Sequence, residues 1–207
     1  MPVALAFDDP YFSLANGLEE TLHVFLDGNG LPDRFAPGFH IGELGFGTGL
    51  NLLVAWKAWR EAGISGPLRF TSFERFPMKR QDMARAHRSY PELSSLSEEL
   101  LASLTPEGLD LPTLQLRIVH GDARMTVADW EDKADAWFLD GFSPAKNPEM
   151  WEPELLAEVA RHTVRGGSAA TYSAAGAVRR ALEAGGFEVV RRPGYGRKRH
   201  MTVARLP

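Results

Sequence analysis

Apolar and polar positions along the chain fall into alternating blocks. Short runs of aliphatic, aromatic and β-branched residues at about 39–44, 68–74, 114–120, 134–139 and 168–172, with two more at 187–191 and 201–205, read as strands. Between them the spacing predicts helices over 50–62, ended by Gly63; over 77–89, from Pro77 to just before Pro91; over 153–164, opened by Pro153; and over 174–184, closed by Gly185-Gly186. Such alternation predicts an α/β fold: a mostly parallel seven-stranded sheet, helices on both faces, and ligands at the carboxyl ends of the strands. The last two strands, joined by a short basic loop, predict a hairpin and hence one antiparallel edge strand. A chain of 207 residues suits one such domain, with 1–38 as an amino-terminal extension or lid and 39–207 as the core.

The first strand runs into Glu43-Leu44-Gly45-Phe46-Gly47-Thr48-Gly49 and then into the apolar helix that continues through Leu50 and Asn51. Three alternate glycines let the backbone turn tightly and let a ligand lie against the main chain. A dinucleotide fingerprint would need its third glycine one residue later, where Leu50 stands. The acid leading into the turn instead suits S-adenosyl-L-methionine, whose charged amino acid portion calls for a carboxylate and which has no pyrophosphate to cradle. A nicotinamide cofactor is the second reading, and a tight turn with no ligand the third.

Each of the next three strand ends also carries an acid. Glu74 is placed to hold ribose hydroxyls, or is an ordinary exposed acid before a helix. Asp122 could accept a bond from an adenine amine, could cap a helix, or could do both. Asp140 follows the wholly apolar Trp137-Phe138-Leu139 and opens a shaped loop, Gly141-Phe142-Ser143-Pro144 through Met150-Trp151. Aromatic surface beside a carboxylate suits an extruded base, although Phe142 or Trp151 could equally anchor the loop to the core.

Composition narrows the classes. Hydrophobic residues at 44% and charged ones at 24% are ordinary for a soluble globule, and no apolar run approaches the roughly 20 residues of a membrane span. No signal peptide is read at the amino terminus, so a cytoplasmic location is expected. With no cysteine, and with six histidines lacking paired ligand spacing, no metal is expected. The net charge of −4 hides an asymmetry: residues 1–150 carry 13 Lys and Arg against 22 Asp and Glu, whereas 151–207 carry 10 against 5. The excess gathers in Arg191-Arg192 and Arg197-Lys198-Arg199-His200, a segment drawn to a polyanion or simply solvated.

Four stretches, FHIGELGFGTGLNLL, DAWFLDGFSPAKNPEMW, the amino-terminal DDPYFSLANGLEE with VFLDGNGLPDRF, and TYSAAGAVRRALEAGGFEV with PGYGRKRHM, closely resemble the methyltransferase part of the MnmC family from about Asp9 to Val203. The resemblance implies a Rossmann-like class I S-adenosyl-L-methionine-dependent methyltransferase acting on tRNA. Its reaction would methylate the 5-aminomethyl group of a wobble uridine, often 2-thiolated, to 5-methylaminomethyl-uridine. Glu43, Gly45, Phe46, Gly47, Gly49, Asn51, Glu74 and Asp122 would then hold the methyl donor, with Phe12 of the Tyr11-Phe12-Ser13 segment closing over it or packing on the sheet. Asp140 would orient the substrate amine and accept its proton. Phe142, Ser143, Pro144, Lys146 and Asn147 would line the uridine pocket, Tyr172 would border it, and Arg197, Lys198 and Arg199 would meet phosphates. The bifunctional members carry a flavin-dependent oxidoreductase domain; this chain ends after its last predicted strand, so a separate enzyme supplying the amine is expected. A small-molecule amine methyltransferase and a non-catalytic tRNA-binding module are the alternatives.

Overall fold

The structure is a computed structural model that describes residues 17–207, together with a two-residue antiparallel ladder between β1 (Val3–Ala4) and β2 (Asp9–Pro10). β3 (His40–Leu44), β4 (Leu68–Glu74), β6 (Leu114–His120), β7 (Ala134–Leu139) and β8 (Thr163–Thr171) run parallel. With β5 (Gly108–Leu111), β9 (Glu188–Pro193) and β10 (His200–Arg205), they form one sheet in the order β5-β6-β4-β3-β7-β8-β10-β9. All five residues of the central β3 are buried, because a parallel strand flanked on both sides and covered on both faces meets no water.

The sheet thus has eight strands, not seven. The extra strand, β5, is four residues folded back antiparallel on β6, and so short a run carries too little pattern to stand out. At the opposite side the expected hairpin forms, but its antiparallel member β10 inserts between β8 and β9, so β9 is the edge. β8 begins at Thr163, five residues before the run at 168, because Gly166-Gly167 breaks the apolar pattern inside the strand.

The helices are α1 (Gly17–Thr21), α2 (Leu50–Glu61), α3 (Arg80–His87), α4 (Ser94–Ser103), α5 (Ala123–Thr126), α6 (Pro153–Arg161) and α7 (Gly176–Ala184). Alternating residues of β7 serve two cores. Ala136 and Phe138 join Phe25, Trp56, Trp59 and Phe70 on one face, while Trp137 and Leu139 join Phe73, Leu155, Val159 and Val178 on the other. Gly42 makes room for this arrangement: a Cβ there would lie 2.8 Å from the Trp137 indole.

From α1 the chain continues through a π turn (Leu22–Leu26) and a 3₁₀ turn (Asp27–Asn29). Val24, Phe25 and Leu26 are buried, and the Phe25 and Phe138 rings lie 5.2 Å apart. Residues 17–35, expected within an extension or lid, therefore help to build the first core. Tyr11, Phe12 and Ser13 lie outside the described residues. Among the described residues no helix is long and apolar enough to cross a membrane.

Successive connections leave β3 in one direction, to β4 and β6, and then return to its other side for β7 and β8. The carboxyl ends of β3 and β7 therefore bracket the switch point, where an open α/β sheet leaves a crevice.

Candidate active site

The glycine turn fills one wall of that crevice. Gly45, Gly47 and Gly49 have φ of 90°, 52° and 78°, a left-handed region costly for any residue with a Cβ. Gly45 N–H donates to Phe73 O at 2.9 Å and Asp140 N–H to Leu44 O at 3.2 Å, so the turn is tied to both neighbouring strands. A Cβ on Gly45 would sit 2.7 Å from Asp140 O, which shows how closely the turn meets the Asp140 loop. Phe46 turns its ring into the core and leaves only its backbone at the turn.

Glu43, expected to face the donor's charged portion, lies fully buried beneath the turn. It accepts from Ser72 Oγ at 2.6 Å and from Asn51 Nδ2 at 3.0 Å. Burial pushes its carboxyl well above the usual range, and the neighbouring Asp140 and Glu74 push it further. Asn51, second in α2, also donates from Nδ2 to Asp140 Oδ2 at 2.6 Å and accepts from Thr21 Oγ1 at 2.9 Å. One amide thus bridges two carboxyls and ties both to α1.

Asp140 sits where β7 ends. Burial raises its carboxyl to about 6; the Asn51 bond and the Lys198 charge pull it down, and the Glu20 charge pushes it up. A carboxyl poised there can take a proton near neutrality and release it again.

The other two acids differ from each other. Glu74 accepts from Gly47 N–H at 3.0 Å and from Phe76 N–H at 2.6 Å, so it lies across the turn with one edge toward solvent. Asp122 caps α5, accepting from Arg124 N–H at 3.1 Å, and also binds the Arg124 guanidinium at 2.7 Å and Arg75 at 3.2 Å. Arg124 holds its carboxyl down at about 2. The capping role is thus realised, and the paired arginines compete for the lone pairs an adenine amine would need.

In the loop after Asp140, Trp151 is the anchor: it is buried, and its Nε1 donates to Phe142 O at 2.8 Å. Phe142, Ser143 and Pro144 are half-buried, and Lys146 is exposed. Lys146 N–H and Asn147 N–H donate to Ser143 O at 2.8 and 2.9 Å, which closes the turn. Asn147 is buried with no donor to its Oδ1. The hydroxyl of Tyr172, just past β8, donates to Gly141 O. Arg197 and Arg199 are exposed, whereas Lys198 directs its ammonium onto the Tyr172 ring, 3.7 Å from the centroid, and to Glu20 Oε1 at 2.6 Å.

Sequence reasoning missed Thr21, Glu20 and Ser72. The first two fall in a segment with no readable strand or helix period, and Ser72 is one of several polar residues in β4, beside Arg69, Thr71 and Glu74.

Residues 92–207 match the model of a family described as S-adenosyl-L-methionine-dependent methyltransferase. The chain belongs to that family. Two curated relatives named tRNA 5-methylaminomethyl-2-thiouridine biosynthesis bifunctional protein MnmC are similar to it. The one from Hahella chejuensis is 46% identical over 220 residues, covering 98% of this chain and 34% of that protein. The one from Chromobacterium violaceum is 45% identical over 214 residues, covering 97% and 32%. The chain thus spans about a third of the length of these relatives. The crystal structure of MNMC2 from Aquifex aeolicus superposes with a TM-score of 0.74 at 31% identity, over 96% of this chain and 64% of that one. The turn suits the methyl donor of this methyltransferase family: its glycines bring bare backbone to the crevice, Glu74 offers a partly exposed carboxylate beside Gly47, and the fingerprint of a pyrophosphate cradle is missing.

Proposed function

We propose that this chain transfers a methyl group from S-adenosyl-L-methionine to the 5-aminomethyl group of a tRNA wobble uridine, giving 5-methylaminomethyl-uridine. The observation that carries this reading is Asp140: a carboxyl raised to about 6, at the switch point, fixed by Asn51 and abutting the donor turn. The MnmC relatives supply the substrate class through their printed names.

An alkylamine is mostly an ammonium near neutrality, and a cation cannot attack another cation. When bound, S-adenosyl-L-methionine supplies an electrophilic methyl group whose bond to sulfur breaks as the amine lone pair forms the new carbon–nitrogen bond. Asp140 attracts the ammonium and takes the proton that must leave nitrogen. Asn51 holds the Asp140 carboxyl in place. Gly45, Gly47, Gly49, Glu74, Asn51 and Asp122 would hold the donor. Phe142, Ser143, Pro144, Lys146 and Asn147 receive the uridine, and the unpartnered Asn147 carbonyl matches a base imide N–H. Arg197 and Arg199 meet phosphates. A tRNA substrate is consistent with a cytoplasmic protein.

Incubation with labelled donor and tRNA from a strain lacking this methylation, followed by nucleoside analysis, tests the reading. Label is expected in 5-methylaminomethyl-uridine or its 2-thio form. Label at another nucleoside, or transfer only to free small amines, would overturn it.

A further inference from the structure

Lys198 lies in the basic loop between β9 and β10, where a cation would ordinarily face solvent. Its ammonium instead rests 3.7 Å from the Tyr172 ring centroid and 2.6 Å from Glu20 Oε1. An aromatic face and a carboxylate on one nitrogen together make a site for a primary ammonium. The site is built from fixed parts: the Tyr172 hydroxyl is bonded to Gly141 O, one residue past Asp140, and the Glu20 side chain on α1 is only 20% exposed. It also adjoins the proton acceptor, since the charges of both Lys198 and Glu20 bear on the Asp140 carboxyl. A lysine terminus, CH₂–NH₃⁺, is the same functional group as the aminomethyl arm of the substrate.

We infer that the Tyr172 face and the Glu20 carboxylate form the ammonium subsite for the substrate amine, and that Lys198 occupies it as an internal stand-in until the substrate displaces it. The inference rests on the amine substrate proposed above and adds the residues that would recognise it. Displacement is easy because the Lys198 side chain is 44% exposed and an exposed ion pair is weak. The loop need not unfold, since its backbone closure, Lys198 N–H to Tyr195 O at 3.0 Å and Gly194 N–H to Arg199 O at 3.2 Å, does not involve the ammonium. Glu20 gathers the ammonium, and Asp140, next to it, takes the proton.

Two measurements test the subsite. In the first, tRNA carrying 5-aminomethyl-uridine is compared with the same tRNA carrying plain uridine. Glu20→Gln and Tyr172→Leu are expected to raise KM for the amine-bearing tRNA about ten-fold while leaving Kd for the plain tRNA within about two-fold, and Tyr172→Phe, which keeps the face but loses the bond to Gly141 O, to raise KM less than Tyr172→Leu. Lys198→Met is expected to leave KM unchanged or lower it. Equal weakening of both tRNAs by Lys198→Met would overturn the inference and make Lys198 a phosphate contact; no KM change in Glu20→Gln would overturn it as well.

The second measurement needs no tRNA. Saturation-transfer NMR is expected to show ethylammonium binding to Lys198→Met protein and not to the Glu20→Gln, Lys198→Met double variant. Binding to both or to neither counts against the subsite. Wild-type protein that fails to methylate tRNA while the ethylammonium results hold would overturn the proposed function and leave the subsite standing.

Discussion

Asn51 bridges the Glu43 and Asp140 carboxyls and opposes the burial that raises both. Its bond to Asp140 favours the ionised form, so removing it raises the Asp140 carboxyl beyond its present value of about 6. Asn51→Ala is therefore expected to move the acid limb of the pH–rate profile to higher pH, and to lower the melting temperature because Glu43 and Asp140 lose a buried donor, at about 1–3 kcal/mol each. A profile that keeps its position would show that the amide does not govern Asp140. The folded carboxyl lies above its ordinary value near 3.8, so the native state holds a proton that the unfolded chain releases. This contribution is thus fully present below about pH 4 and is lost as pH rises to about 6, by at most roughly 3 kcal/mol, the partial exposure of Asp140 making that an upper bound. Asp140→Asn is expected to melt higher than wild type at pH 7 and to lose that advantage toward pH 4. Calorimetry at both pH values checks the sign.

At the scale of elements, the β3–α2 turn is the part least able to change. Gly45→Ala would add a Cβ 2.7 Å from Asp140 O at a φ of 90°. A loss of about 1–3 kcal/mol in stability and at least about ten-fold in donor affinity is expected, measured by thermal melting and by isothermal titration with S-adenosyl-L-methionine. Unchanged donor affinity would mean that the ligand does not lie on this turn. The turn was legible in the sequence because alternate glycines between a short strand and an apolar helix have few other uses. The limits of β4 and β6 were legible because apolar residues recur at alternate positions, and those of β7 from its Ala-Trp-Phe-Leu run. The α1 segment was not: its helical period is broken by a π turn and then a 3₁₀ turn, so Val24, Phe25 and Leu26 follow no regular spacing. The run at 168–172 shows only the end of β8, which starts at Thr163 and passes through Gly166-Gly167.

For the whole molecule, the charge asymmetry is the feature a tRNA would sense first. Residues 1–150 are acid-rich and 151–207 base-rich, and Arg197 and Arg199 stand exposed in the loop between β9 and β10, where the proposed tRNA would meet them. The Arg197→Ala, Arg199→Ala double variant is expected to weaken tRNA binding at low salt and to reduce the slope of log K against log salt by about 0.7–0.9 per lost contact, with donor affinity unchanged. An unaltered slope would place the phosphate contacts elsewhere. The basic run was plain from composition, but composition does not reveal which cation takes a fixed partner. Lys198 meets a glutamate 178 residues away, a partner that only the tertiary fold supplies.

Single-turnover methyl transfer to amine-bearing tRNA, followed from about pH 5 to pH 8 with saturating donor, bears most directly on Asp140 as proton acceptor. Wild-type protein is expected to lose rate below about pH 6, and Asp140→Asn to be slower by about 10²–10⁴ without that limb while binding donor normally. An Asp140→Asn protein that turns over near the wild-type rate with the same pH dependence would contradict it.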